Sequence, residues 1–366
     1  MSEEFPFDPG DVTERLLAWY GRAGRDLPWR KTRDPYRIWV SEIMLQQTTV
    51  TAVIPYYDAF LARFPDLATL ATAPVEAVIE QWAGLGYYRR ARNLHAAAVE
   101  VVKQWGGELP ETIEALQSLP GIGRSTAGAI VSIAFDRPAP ILDGNVRRVL
   151  CRLFALQLPP RSSQAEKLLW HWAEKLTPLD QPHDYAQSIM DLGATVCLPS
   201  GPLCSKCPLE SLCQARCLGL ENELPLAAPK KAIPTVRQIV LAIRKGDQWL
   251  VRRRPLEGML GGLWEFPTAE VLAGETAGSA GRRLAAEHGA LLVGPARGEV
   301  RHVYSHFRLE LTLYLAEIAS LQVAETGESC WLDHADLVAL PLHGAHKKII
   351  PLLAREQAGP LDKEQF

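Results

Sequence analysis

The chain has no long hydrophobic run: nowhere in its 366 residues does an uninterrupted apolar stretch approach the ~18 positions that mark a membrane helix. It also lacks the basic flank and apolar core of a secretory leader, since it begins Met1-Ser2-Glu3-Glu4-Phe5. A cytoplasmic protein without a membrane partner is the expectation. A basic excess is missing too. Lys and Arg number 39 against 42 Asp and Glu, so no chain-wide positive field exists, and any nucleic-acid contact has to come from local clusters and backbone donors. Internal repeats and low-complexity tracts are absent. A chain of this length is too large for one ordinary core, which points to about two domains.

What is present begins with helical periodicity. Apolar residues recur at three- and four-residue spacing over 12–20, 38–60, 75–83, 91–102 and 124–134, so the first part reads as all-α up to about residue 217. The period fails around Leu224-Pro225-Leu226-Ala227-Ala228-Pro229-Lys230-Lys231, a composition suited to an exposed connector, placed at 218–235. Beyond it, strand-like runs at 237–244, 248–254 and 300–317, with helical patterns at 277–288 and 345–353, describe an α+β domain over 236–356, followed by a tail at 357–366.

Four of the seven cysteines fall close together, Cys197, Cys204, Cys207 and Cys213, with Pro199, Gly201, Pro202 and Pro208 turning the chain between them. Convergent thiolates suggest a metal centre. Zinc and four unrelated buried thiols are the competing readings, although a zinc ribbon normally carries two CxxC knuckles and this loop has one. Cys151, Cys217 and Cys330 lie outside the pattern.

Three further features carry chemistry. Gly121 and Gly123, in Leu119-Pro120-Gly121-Ile122-Gly123-Arg124-Ser125, permit positive φ and turn backbone N–H groups outward at a helix start, where an anion is favoured; a plain turn is the alternative. Glu42 shares a helix face with Ile38, Trp39 and Leu45, which would desolvate it and raise its pKa, whereas most helical glutamates are simply solvated. Asp143, before Gly144 and a helical pattern, is a natural N-cap, and a carboxylate held by N–H groups stays ionised and can face a developing cation.

These segments, with Trp39 to Thr48, Gly84-Leu85-Gly86-Tyr87-Tyr88, Ile141 to Leu150 and Met190 to Ala194, closely resemble the adenine DNA glycosylases of the helix-hairpin-helix, endonuclease III-like superfamily, over nearly the whole chain. The resemblance implies an all-α catalytic domain at 1–217, with its helix-hairpin-helix at about 116–134 and one [4Fe-4S] cluster held by the four cysteines at 197–213. Glu42 would protonate adenine, Asp143 would stabilise the oxocarbenium-like sugar, and Asn145 would support both the sugar and Asp143. Arg25, Leu27 and Arg30 would rim the adenine pocket. Gln47, Thr48, Leu85 and Tyr87 would meet the DNA beside the opposite base, while Gly121, Gly123 and Ser125 would hold backbone, with a monovalent cation as a further candidate at the hairpin. Bifunctional members carry lysine at position 125; Ser125 implies a monofunctional enzyme that leaves an abasic site.

The second domain resembles the Nudix fold, but Arg283 and Ala286 stand where the hydrolase signature has glutamates, so no magnesium requirement is expected. Its segment Tyr304-Ser305-His306-Phe307 resembles the family's 8-oxoguanine reader, with Ser305 the stronger candidate contact and His306 the weaker. Arg252-Arg253-Arg254 could reach phosphate or equally form a solvated strand end, and Lys206 could replace the basic residues missing from the loop between the first two clustered cysteines. The expected partner is double-stranded DNA containing an adenine mispair, met by a monomer. The rivals are an endonuclease III-like enzyme for oxidised pyrimidines, a non-catalytic iron-sulfur DNA-binding protein and a nucleotide pyrophosphohydrolase.

Overall fold

The computed structural model describes residues 5–227, 233–304, 306–318 and 328–357. The chain divides into two compact units, one of residues 1–74 with 90–230, the other of 75–89 with 231–366. No helix among the described residues is long and apolar enough to cross a membrane.

The first unit is helical. Asp34 caps the helix Pro35–Leu45 by accepting from the Tyr36 N–H, with Pro35 in the first turn where no backbone donor is needed. Burial runs almost all round this helix, from Tyr36 and Ile38 to Ile43 and Met44, so it is a core element. The helical run expected over 38–60 is two helices. Gln47 adopts φ 59° and extended Thr49 stands at the N-terminus of a new helix, Val50–Arg63. Periodicity did not reveal this break, because the apolar spacing resumes in phase after it.

Arg90 closes the first of these helices. Its buried guanidinium donates to the carbonyls of Ile43 (2.9 Å), Met44 (2.7 Å) and Gln46 (2.5 Å) and to Thr48 Oγ1 (3.0 Å), acceptors gathered at the helix C-terminus, where carbonyls run short of intrahelical partners. Replacing Arg90 with Met would strand these groups, at an expected cost of about 2–4 kcal/mol. Urea titration of the full chain measures this, and a loss below about 1 kcal/mol would remove Arg90 from that role.

The helix Pro182–Thr195 packs against Pro9–Ala23, Arg124–Phe135 and Gly144–Leu153, and Arg124–Phe135 in turn packs on Pro35–Leu45. Ile38, Ile133, Ile141, Val146, Leu150 and Ile189 belong to the shared core. The expected exposed connector begins later than its composition suggested. Leu224 is buried, its carbonyl accepts from Arg152 Nε at 2.8 Å, and Glu221 pairs with Arg216. A buried guanidinium recruits this stretch to the helical unit.

The second unit is an eight-stranded mixed sheet: β1 (Thr235–Lys245), β2 (Gln248–Arg253), β3 (Trp264–Glu265), β4 (Thr268–Glu270), β5 (Ala290–Leu292), β6 (Gly298–Val303), β7 (Arg308–Ile318) and β8 (Ser329–Leu332). β1 and β7 run parallel at its centre, from Thr235 opposite Arg308 to Arg244 opposite Glu317. Ile239, Leu241 and Ile243 face the helix Ala277–Glu287, while Val240 and Ala242 join the core with Leu337, Ala345 and Ile349 from the helical segments His334–Ala339, Gly344–Lys347 and the turn after it. This alternation, covered on both faces, explains why β1 reads as a nearly continuous apolar run. The segment 75–89, expected in the helical domain, packs with this unit: Arg253 pairs with Glu80 at 3.7 Å, and Gly262 lies against Ile79.

Candidate active site

A cavity of about 460 Å³ opens within the helical unit, a size usual for sites that take small molecules. Its lining includes Glu42 and Leu45 from Pro35–Leu45, Ser125 and Thr126 from the hairpin helix, and Asp143, Asn145 and Arg148 at the start of Gly144–Leu153. Arg25, Leu27 and Arg30 form another part of the wall, as do Gln187, Met190 and Gly193 from Pro182–Thr195.

Glu42 is pushed up to about 7 by burial first and by the Asp143 charge second, with Arg30 opposing. It can therefore hold a proton near neutrality. Asp143 caps its helix, accepting from the Val146 N–H at 2.7 Å. Burial raises it as well, against the expectation that backbone donors alone would keep it low; the Val146 and Asn145 N–H groups and Arg148 pull the other way. Those donors are what Glu42 lacks, so a proton entering the pair settles first on Glu42.

The surroundings orient both groups. Asn145 Nδ2 approaches Asp143 Oδ2 at 3.5 Å, and Arg148 fixes the amide by donating to Asn145 Oδ1 at 2.9 Å. The same guanidinium donates to the carbonyls of Gly193 and Cys197, both at 2.7 Å. Ser125 Oγ accepts the Leu142 N–H at 3.0 Å, so its hydroxyl holds the segment leading into Asp143. A Cβ at Gly193 would lie 2.6 Å from Asn145 Cβ, so the two helices cross here only because position 193 has no side chain.

Asp191 organises the opposite wall. It has no exposed surface, and it accepts from Arg30 through Nη1 and Nη2, both at 2.6 Å, and from Arg25 through Nε at 2.8 Å and Nη2 at 2.5 Å. Burial pushes its carboxyl up, but these guanidinium hydrogen bonds outweigh that and hold it below the ordinary value. Gln187 is fixed by His183, whose Nδ1 donates to the Ile133 carbonyl, so that its Nε2 accepts from the Gln187 amide at 2.7 Å.

Cys197, Cys204, Cys207 and Cys213 lie on the loop after this helix. Cys207 is pushed up to about 12, mainly by burial and also by its neighbouring thiols. Arg152, almost wholly buried, donates to Cys197 Sγ at 3.3 Å and to the Leu198 carbonyl at 2.6 Å. Among the described residues, no three cysteine sulfurs lie within 4.8 Å of one another. Thiolates around one zinc, at ~2.3 Å from the metal, would sit closer together than that.

Residues 40–175 match the HhH-GPD superfamily of base excision DNA repair proteins, and residues 239–352 match the NUDIX domain. The human adenine DNA glycosylase is 36% identical over 94% of this chain and 74% of its own length. That of Schizosaccharomyces pombe is 31% identical over 88% and 85%. The chain belongs to the adenine DNA glycosylase family. Among solved structures, a thermostable thymine-DNA glycosylase matches 57% of this chain and 96% of its own at 32% identity with a TM-score of 0.53. An endonuclease III in a non-covalent DNA complex, at 23% identity and a TM-score of 0.50 over 58% of this chain and 99% of its own, shares the fold.

In this adenine DNA glycosylase family member, the cavity gathers Arg25, Leu27, Arg30, Glu42, Thr48, Ser125, Asp143 and Asn145 of the residues singled out from sequence. Gln47 and Tyr87 are exposed and are two of the non-glycine residues at positive φ, 59° and 50°, a costly conformation that concentrates at functional positions. Leu85, expected at a DNA surface, is buried. Gly121 takes the expected positive φ of 82°, but Gly123 does not; it is an extended N-cap at φ −88°. Both are exposed, as is Lys206.

In the Nudix unit, His306 is exposed at the turn between β6 and β7, and Ser305 lies outside the described residues. Arg252 and Arg254, expected either at phosphate or at a solvated strand end, both pair with buried Glu265, and Arg253 pairs with Glu80 and Glu328. Their charges serve internal pairing. The pairings of Asp191 with Arg25, of Arg148 with the Gly193 carbonyl and of Arg90 with the Ile43 carbonyl were not legible locally, because these partners are far along the chain.

Proposed function

We propose that this chain excises adenine from DNA in base excision repair, acting as a monofunctional glycosylase on adenine paired with 8-oxoguanine or guanine. The observation that carries the reading is the pairing of Glu42, able to hold a proton near pH 7, with a capped Asp143 in one cavity. A base enters such a cavity only after leaving the stack. Glu42 delivers its proton to the adenine ring as the glycosidic bond lengthens, and the Asp143 carboxylate faces the cation that develops on the sugar. This division of labour between two carboxyl groups parallels glycoside hydrolysis. Asn145 and Arg148 keep Asp143 aimed at the sugar.

Exposed Gln47, helped by Thr48, is a proposed wedge into the duplex, and exposed Tyr87 is another. The Gly121–Ser125 hairpin is the proposed phosphate dock, with a monovalent cation as its partner. Turn 304–307 is the proposed reader of the base opposite the adenine. The four cysteines are proposed to hold one [4Fe-4S] cluster. Sulfurs too widely spaced for a single ion and the buried Arg152 cation beside Cys197 fit such a group. When bound, it would brace the loop whose Cys197 carbonyl anchors Arg148. Magnesium has no proposed part in base removal; the Arg283 guanidinium already pairs with Glu275 and Glu287.

Single-turnover release of adenine from a duplex with 8-oxoguanine opposite A tests the reading. The purified protein is expected to release adenine, to leave the strand intact until alkali is added, and to contain about four iron atoms per chain. No adenine release, or strand breaks without alkali, would overturn it.

A further inference from the structure

Glu265, His343 and His346 are all buried in the Nudix unit, and their ligand atoms lie within 4.8 Å of one another. That spacing would suit a metal ion, but the partners argue otherwise. Glu265 Oε1 accepts from Arg252 at 3.0 Å and Oε2 from Arg254, while His346 Nδ1 accepts the Phe266 N–H at 2.9 Å. An added cation would face two guanidinium charges and compete for lone pairs already in use.

The same contacts describe a relay toward turn 304–307. His343 Nε2 faces Glu265 Oε2 at 3.7 Å, and against an anion that nitrogen carries the proton. His343 Nδ1 is then the acceptor, and the Tyr304 hydroxyl lies 3.2 Å from it. Tyr304 opens the turn: its N–H donates to the Phe307 carbonyl at 2.9 Å, and its ring packs on Phe307 and His302 at centroid distances of 5.1 and 4.5 Å. The helix that follows His343 begins hard against the hairpin, since a Cβ at Gly344 would come within 3.1 Å of His302.

We propose that His343 is a positioning residue for recognition of the base opposite the adenine, holding the Tyr304 hydroxyl and through it the 304–307 turn, with Glu265 fixing the imidazole tautomer. This rests on the reading that the turn meets that base. The relay spans 39 residues from Tyr304 to His343 and touches neither Glu42 nor Asp143.

The test compares kcat/KM for adenine opposite 8-oxoguanine with that opposite guanine. His343→Leu is expected to lower this preference about tenfold, the scale of one lost hydrogen bond. His343→Gln, whose amide can accept from Tyr304, is expected to recover part of it. Tyr304→Phe removes one oxygen and should lower the preference several-fold; it decides the question if His343→Leu does not fold. In nitrogen NMR the His343 Nδ1 resonance should move in Tyr304→Phe. Folded variants with wild-type preference, or an unmoved resonance, overturn the relay alone. A wild-type protein equally fast on both duplexes overturns the reading of turn 304–307, and the relay with it.

Discussion

Glu42→Gln is expected to abolish most adenine release while making the protein more stable at neutral and higher pH. The first effect follows from chemistry: an amide has no proton to give, and loss of a general acid costs about 10²–10⁴-fold in rate. In the wild type, release should fall as pH rises through about 7, where Glu42 loses its proton. The second effect follows from linkage. The folded carboxyl sits at about 7 against an ordinary 4.5, so its favourable contribution is complete below about 4.5 and disappears as pH climbs through about 7. A shift of that size corresponds to about 3 kcal/mol. Glutamine does not ionise and escapes this cost. Urea titrations should therefore separate the two proteins at pH 8 and bring them together near pH 4. If the variant is no more stable at pH 8, Glu42 is not desolvated as described.

Asp191→Asn is expected to have the largest effect on stability. The carboxylate is wholly enclosed and receives five hydrogen bonds from Arg25 and Arg30, counting the Arg25 backbone N–H. Asparagine fills the same space but cannot balance two guanidinium charges, and it offers one oxygen where there were two. Breaking one side of a buried ion pair typically costs about 3–5 kcal/mol. Arg25 and Arg30 also line the cavity, so the wall that shapes it would loosen. Single-turnover titration should show weaker substrate binding in molecules that remain folded. A midpoint shift worth less than about 1 kcal/mol would mean that water screens the triad.

Sequence reading succeeded where a single local pattern carried the information. Asp143-Gly144 announces a helix cap, and the cap is there. Apolar neighbours of Glu42 announced desolvation, which burial of that helix produces. The resemblance to the glycosylase family supplied the grouping of Arg25, Arg30, Glu42 and Asp143, and the cavity gathers all four. What stayed hidden was long-range pairing. Asp191 meets Arg25 across 166 positions, and Arg90 meets Ile43 across 47. No helical or strand period encodes such a meeting. Charged side chains read locally as surface: Arg252 and Arg254 suited either a phosphate contact or a solvated strand end, yet Glu265 holds both. At Asp143 the sequence pointed to the backbone donors and not to the burial that raises its carboxyl, because the depth of burial depends on neighbours brought in by tertiary packing.

Gly193 shows how vulnerability can be distributed in such a molecule. It has no charge and no hydrogen-bonding side chain, and a survey of reactive groups would pass over it. Yet a single methyl there would press on Asn145 at 2.6 Å, beside the carboxylate that Asn145 steadies. In heredity, then, the activity has a second address. It is expected to be lost through one codon that specifies neither of the two proposed acids, and the resulting protein would keep Glu42, Asp143 and every cysteine in its sequence.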